Sequence, residues 1–99
     1  MPGKKGGKKK KGGKAKVDKY AGVDKEERVA KSLELKTQGN SAFSSKDYQA
    51  AVDAFAEAIA YDPANHVFYS NRSAAYLALE KGKQAIADAK YCVSLKPDW

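Results

Sequence analysis

The chain repeats its own pattern of apolar and small residues at a shift of 34 positions. One set of such residues is Leu35, Gly39, Ala42 and Phe43, which returns as Tyr69, Ser73, Tyr76 and Leu77. A second set is Ala51, Val52, Phe55, Ala58 and Ile59, which returns as Ala85, Ile86, Ala89, Cys92 and Val93. Spacings of i, i+4, i+7 and i+8 put the members of a set on one helix face. Each unit is therefore predicted to be a pair of amphipathic helices.

A period of 34 residues built from helix, turn and helix is the signature of tetratricopeptide repeats. Such units stack into a right-handed solenoid whose inner helices line a concave groove. No segment has the alternating pattern of a half-buried strand, so the predicted fold class is all-α. Because a groove of this kind holds a partner, we expect a binding function rather than catalysis.

Caps and helix breakers set the predicted ends of four helices. We expect helices over residues 25–44, 48–61, 65–79 and 83–95, with Asp24 capping the first and Gly82 ending the third. Small residues stand where paired helices must approach closely: Gly39, Ala51, Ala58, Ser73, Ala85 and Cys92. Large residues are expected to fill the space between layers: Phe43, Phe55, Tyr76 and Leu77.

Charge divides the chain into two parts. Residues 1–19 hold nine lysines and one acid, a net charge of +8, whereas the whole chain carries +7. The lysine-rich start contains almost nothing that can bury apolar surface. We expect residues 1–23 to form a disordered basic tail, and residues 24–99 a tetratricopeptide domain with repeats at about 32–65 and 66–99. Because two units leave an apolar face uncovered, we expect either that the chain is a fragment that stops before a third repeat or that its last helix packs on another chain, and we favour the fragment.

Several absences narrow the function classes further. Cys92 is the only cysteine, so there is no internal disulfide, and no run of 18 apolar residues could span a membrane. His66 is the only histidine and has no second ligand at metal-binding spacing. The basic start is not followed by the apolar segment of a secretory signal. We therefore expect a cytoplasmic protein, with the nucleus as a second location, that uses no cofactor or metal and is not an enzyme.

The lysine-rich tail leaves three interpretations open. Its densest run is Lys8, Lys9, Lys10 and Lys11. The run could contact nucleic acid weakly and without sequence preference, because lysines neutralise phosphates. It could also act as a nuclear-localisation patch, or it could have no specific partner.

The residue strings within the repeats point to one family. The segments LKTQGNSAF at 35–43, AVDAFAEAIAYDPANHVFYSNRSAAY at 51–76 and LKPDW at 95–99 resemble the first tetratricopeptide domain of the heat-shock organising co-chaperones, the Hop or stress-inducible phosphoprotein family. The resemblance covers residues 32–99 and does not include the lysine-rich tail. It implies an adaptor that grips the acidic C-terminal tail, ending EEVD, of a cytosolic heat-shock chaperone. The seventy-kilodalton class is the favoured partner, and the ninety-kilodalton class is the alternative.

The resemblance also implies which residues bind that tail. In the family, a lysine and an asparagine four positions apart on the first helix form part of a two-carboxylate clamp, together with an asparagine on the first helix of the second repeat. These positions match Lys36, Asn40 and Asn71. The clamp's remaining lysine and arginine belong to a third repeat and would lie beyond Trp99.

The residues themselves give independent but weaker support for a clamp. Lys36 and Asn40 share a helix face, and ammonium and amide N–H groups are suitable donors to carboxylates. Without the resemblance, Lys36 could equally be a solvated lysine, and the asparagines could make local hydrogen bonds. The prediction is a co-chaperone adaptor. The alternative is a nucleic-acid- or ribosome-associated protein whose tail holds RNA while its helices dock a protein partner.

Overall fold

A computed structural model describes residues 20–98 of the chain. This part forms four α-helices: α1 (Lys25–Ser44), α2 (Tyr48–Tyr61), α3 (His66–Ala78) and α4 (Gly82–Leu95). Residues 20–98 contain no strand, and the all-α prediction is confirmed. Most of the predicted basic tail, including the run from Lys8 to Lys11, lies outside the described residues.

Consecutive helices pack as two pairs that lie side by side. α1 packs against α2, α3 packs against α4, and α2 joins the two pairs by packing against α3. The turns between paired helices are only three residues long, so the members of each pair run antiparallel. This is the helix-turn-helix stacking that the 34-residue period predicts.

Short polar side chains fix the starts of the first three helices. Each one accepts a hydrogen bond from a backbone N–H in the first turn: Asp24 from Glu26 at 3.1 Å, Asp47 from Ala50 at 3.2 Å, and Asn65 from Val67 at 3.0 Å. Such caps satisfy donors that the helix itself leaves without a partner. The predicted cap at Asp24 is thereby confirmed.

The turn that follows the first helix of each unit, α1 or α3, has the same backbone geometry in both units. Lys46 and Glu80 are equivalent residues of the repeat, and both adopt a left-handed conformation, with φ of 67° and 61°. The backbone N–H of the residue after each turns back to a carbonyl five positions earlier, at 2.8 Å in both units. Because Glu80 provides this left-handed position, the prediction that Gly82 ends α3 is wrong. Gly82 is instead the first residue of α4.

A small core between α1, α2 and α3 holds the two pairs together. It consists of Ala51, Val52, Phe55 and Ala75, with partly buried Ala42, Phe43, Tyr76 and Leu79 packed around it. All six small residues predicted at close helix contacts are buried. Leu77, in contrast, was predicted to fill the space between layers and is 61% exposed. Its side of α3 has no neighbouring element among the described residues.

Residues 20–23, which the sequence analysis assigned to the tail, form a turn that packs on the first helix pair. The ring of Tyr20 stacks on Tyr61 with 3.8 Å between centroids and an 8° interplanar angle. The Tyr20 hydroxyl donates a short hydrogen bond to the carboxylate of Glu57. This hydrogen bond, with some desolvation, raises the pKa of the Tyr20 hydroxyl above its ordinary value. Tyr20 therefore holds the segment before α1 against α2.

Candidate binding groove

The structure brings Asn40 and Asn71 to the same surface hollow, although they are far apart in sequence. The hollow has a volume of about 170 Å³ and is lined by Asn40, Phe43, Phe55, Asn71 and Ala74. We call it the asparagine hollow. Asn40 comes from α1 and Asn71 from α3, and these are the inner helices of the two units. The stacking of the repeats is therefore what places the two amides together.

Lys36 lies one helical turn before Asn40 on α1. Its side chain is half-buried, and it does not line the asparagine hollow itself. Within residues 20–98, the side chains of Lys36, Asn40 and Asn71 make no hydrogen bond or ion pair. One ammonium group and two amide groups are therefore available as donors along this side of the molecule.

The lining of the asparagine hollow suits a ligand that carries both a carboxylate and an apolar group. Asn40 and Asn71 offer amide N–H donors, and the hollow has no acidic residue in its lining. The other three lining residues, Phe43, Phe55 and Ala74, are apolar, and we call them the apolar floor of the hollow. The nearby ammonium group of Lys36 would strengthen hydrogen bonding to a carboxylate, because charged hydrogen bonds are stronger than neutral ones.

The apolar floor was missed by the sequence analysis, which assigned Phe43 and Phe55 to packing alone. A signal was present, because Phe43 follows Asn40 by three positions and Ala74 follows Asn71 by three. Residues three apart are neighbours on a helix face, so each amide has an apolar companion on its own helix. Phe55 reaches the floor from α2 even though it is only 1% exposed.

A second feature that the sequence analysis did not identify is an ion pair between Arg72 on α3 and Asp88 on α4. Two hydrogen bonds of 2.8 Å join them, from Nε to Oδ2 and from Nη2 to Oδ1. Hydrogen bonding to Asp88 raises the pKa of the Arg72 guanidinium, which stays charged. Arg72 directly follows Asn71 in sequence and does not line the asparagine hollow.

A larger hollow of about 360 Å³ lies at the opposite end of α1, beside the Tyr20 turn. Its lining includes Lys25, Arg28, Tyr61 and Pro63. Arg28 Nε donates to the carbonyl oxygen of Tyr61 at 2.9 Å, so this side chain ties α1 to the end of α2. The hollow is lined by none of the predicted site residues.

The outward side of α4 is an exposed apolar surface. Ile86 is 58% exposed and Val93 is 56% exposed, and with Ala89 and Lys90 they line a shallow depression of about 340 Å³. The repeat-equivalent residue of Ile86 is Val52, which is 5% exposed because α3 covers that side of α2. The described residues place no helix over the corresponding side of α4.

The residues considered for metal binding or reactivity do not gather into a site in the described part of the chain. Residues 20–98 contain no group of three or more histidine, cysteine, aspartate or glutamate side chains that could hold a metal ion. Cys92 is a buried free thiol at a helix contact. Across the same residues, no helix is both long and apolar enough to cross a membrane.

Comparison with known proteins agrees with the repeat structure. The tetratricopeptide repeat family matches residues 32–65, which is the first of the two predicted units. The chain is 58% identical over 73 residues to a STIP1 homologue of Dictyostelium discoideum, an alignment covering 74% of this chain and 13% of that protein. It is 49% identical over 67 residues to the heat shock protein STI1 of Saccharomyces cerevisiae, covering 67% of this chain and 11% of that protein. The chain thus corresponds to a small part of these longer proteins.

Solved tetratricopeptide domains have the same arrangement of helices. One is the first such domain of Spaghetti (RPAP3) bound to the HSP90 peptide SRMEEVD, with a TM-score of 0.71 and 34% identity, covering 72% of this chain and 56% of that one. Another is the Sgt2 domain of Aspergillus fumigatus, with a TM-score of 0.66 and 38% identity, covering 67% of this chain and 44% of that one. The tetratricopeptide fold of the four helices α1 to α4 is therefore established by sequence and by structure.

Proposed function

Because the chain carries a tetratricopeptide domain similar to those of the STIP1 and STI1 proteins, we propose that it is an adaptor for a heat-shock chaperone. The adaptor holds the acidic C-terminal tail of the chaperone in the groove that contains the asparagine hollow. Lys36, Asn40 and Asn71 donate hydrogen bonds to the carboxylates of the tail. The protein acts by binding and carries out no chemistry of its own.

The observation that carries this proposal is the convergence of Asn40 and Asn71 on one hollow with an apolar floor. Two amides from different repeats can both reach a single carboxylate only if the repeats stack as they do here. Lys36 on the same side of α1 adds the positive charge that an acidic tail requires. The similar domain of Spaghetti was solved with an HSP90 peptide ending in EEVD, which supports a chaperone tail as the ligand class.

The chaperone class is the finer part of the proposal. We favour the seventy-kilodalton class on the resemblance of residues 32–99 to the first domain of the heat-shock organising proteins. Similar plant proteins are named Hsp70-Hsp90 organizing proteins, so relatives of this chain are associated with both classes. Competition between peptides from the two chaperone tails, which share EEVD and differ upstream, would separate them. A tighter complex with the seventy-kilodalton peptide is expected.

A cytoplasmic location follows from this function, because the proposed partners are cytosolic chaperones.

The second candidate function concerns the tail, since residues 1–19 hold nine of the chain's 19 basic side chains. Tail-driven RNA binding would weaken steeply with added salt, because it depends on released counterions. It would also disappear when residues 1–16 are deleted. Binding of a chaperone tail in the groove would survive that deletion.

Titration of the isotope-labelled chain with an acidic peptide ending in EEVD tests the proposed function. The side-chain amide signals of Asn40 and Asn71 should shift together as the peptide is added. The matched control is the same peptide with an amidated C-terminus, which lacks one carboxylate acceptor. The amidated peptide should bind more weakly and move the asparagine signals less. Equal binding of both peptides would refute the proposal that these amides recognise a terminal carboxylate.

A further inference from the structure

The ion pair between Arg72 and Asp88 is more buried and makes more hydrogen bonds than an ordinary surface salt bridge. Its two hydrogen bonds are both 2.8 Å long, and the side chain of Asp88 is only 7% exposed. The guanidinium also lies over the rings of Tyr69 and Tyr76, at 5.9 and 5.7 Å from their centroids. A planar fork with two parallel hydrogen bonds fixes angle as well as distance. The orientation of α3 relative to α4 is therefore specified at this point.

This pair exists only in the second unit of the repeat. The equivalent positions of the first unit are Gln38 and Ala54, which cannot form an ion pair. The first pair of helices is joined instead by the ring of Phe55 packing on Gly39. Burying an ion pair adds little net stability compared with apolar packing. A role in geometry therefore explains the Arg72–Asp88 pair better than a role in stability.

The geometry that the pair controls includes the direction of Asn71. Asn71 precedes Arg72, and successive residues of a helix point about 100° apart around its axis. With Arg72 directed to α4, Asn71 is directed to the asparagine hollow. The Asn71 side chain has no hydrogen bond within residues 20–98. The direction of the Asn71 amide therefore depends on the rotation of α3 about its axis and not on a hydrogen bond to a neighbouring residue.

We infer that Arg72 and Asp88 are positioning residues for the groove, because their pairing fixes the rotation of α3 that aims the Asn71 amide at a ligand carboxylate. This inference rests on the proposed function of the groove. Neither residue lines the asparagine hollow, so they act through Asn71 and not on the ligand. Asn40 on α1 is outside their influence.

Double-mutant cycles on the full chain test this inference, with the dissociation constant of the EEVD peptide as the readout. Asp88→Asn keeps the shape of the side chain and removes its charge, and it should weaken peptide binding by about tenfold. In the Asn71→Ala background the same change should weaken binding by less than about twofold. In the Asn40→Ala background it should retain its whole effect. This selective coupling is a readout that a merely structural role of Asp88 would not produce.

Two further variants keep the experiment decisive. Gln38→Ala changes the repeat-equivalent position of Arg72 and should leave peptide affinity unchanged. If Asp88→Asn does not fold by circular dichroism, the apolar pair Arg72→Met with Asp88→Leu replaces it, because such pairs often preserve stability. That variant should have the same selective coupling to Asn71. If Asp88→Asn weakens peptide binding equally in the Asn40→Ala and Asn71→Ala backgrounds, the inference is overturned. If Asn71→Ala by itself leaves peptide affinity unchanged, both the inference and the proposed function are overturned.

Discussion

A Cβ atom added to Gly39 would lie 2.7 Å from Cδ1 and 2.8 Å from Cζ of Phe55, so the aromatic ring of α2 packs directly on the glycine of α1. Real Cβ atoms do not approach other atoms this closely. Phe55 is only 1% exposed, so the contact lies in the core of the domain. The second unit has Ser73 and Ala89 at the equivalent positions, and there the large ring is absent. The contact between Gly39 and Phe55 thus joins the first helix pair and also supports the floor of the asparagine hollow.

Gly39→Ala is expected to destabilise the domain even though alanine favours helix. The helix gains roughly 1 kcal/mol in propensity, but overpacking against a buried ring typically costs about 1–3 kcal/mol. Gly82→Ala is the matched control, because a Cβ atom there has nothing within 4 Å. Urea unfolding should give a lower midpoint for Gly39→Ala and an unchanged or higher midpoint for Gly82→Ala. A rise of similar size in both variants would contradict the close contact.

Phe55→Ala should lower the free energy of unfolding by about 3–5 kcal/mol, because it leaves a cavity in the core. A domain of this size has little stability to lose, so the variant is expected to be largely unfolded at 25 °C. Leu77→Ala is the control, since Leu77 is 61% exposed and the change should alter stability by less than about 0.5 kcal/mol. Thermal melting followed by circular dichroism distinguishes them. Equal melting temperatures would show that Phe55 is not a core residue.

The fold could be predicted from sequence because its main signals are local and repeated. The predicted bounds of α1 and α2 coincide with the observed ones, since capping residues and Pro63 define them. α3 begins one residue later than predicted because Asn65 is its N-cap. The end of α3 and the start of α4 also differ by one residue, because Glu80 supplies the left-handed turn position that was assigned to Gly82. A glutamate in that conformation has no sequence signature of its own. The left-handed conformation of Lys46, the equivalent residue of the first unit, could not be predicted from the sequence for the same reason.

The other features missed by sequence reasoning depend on contacts between distant residues. Asn40 and Asn71 were identified by resemblance, but the apolar floor of the hollow needs Phe55 to arrive from α2. The pairing of Arg72 with Asp88 joins two helices, and no local spacing rule indicates it. The same holds for Tyr20 and Tyr61, whose stacking packs a residue of the predicted tail against α2.

The Tyr20 turn is expected to contribute to stability mainly through its ring. Tyr20→Phe keeps the stacking on Tyr61 and removes the hydroxyl that donates to Glu57. Tyr20→Ala removes both interactions, so it should lower the melting temperature more than Tyr20→Phe does. Hydrogen exchange of the first amides of α1 should speed up in the same order. Identical melting curves for the alanine variant and the parent would mean that the turn adds nothing to the domain.

The exposed side of α4 is expected to make the chain self-associate at high concentration. Ile86→Gln replaces a residue that is 58% exposed, and it should reduce self-association with little change in melting temperature. Val52→Gln is the same kind of change at the repeat-equivalent position, where the side chain is 5% exposed, and it should strongly destabilise the domain. Sedimentation and thermal melting measure the two effects. A parent chain that stays monomeric at millimolar concentration would contradict the first expectation.

The central claim is that the groove, rather than the lysine-rich tail, binds the acidic peptide. The most direct measurement is the affinity of an EEVD peptide for the parent chain, for Lys36→Ala and for a chain that lacks residues 1–16. Lys31→Ala is the matched control, since Lys31 is an exposed lysine of the same helix that pairs with Glu34. Losing one charged hydrogen bond should weaken binding by about tenfold or more in Lys36→Ala, and Lys31→Ala should bind like the parent. The tail deletion should change only the salt dependence. Unchanged affinity in Lys36→Ala together with lost binding in the tail deletion would contradict the account and make the basic tail the binding element.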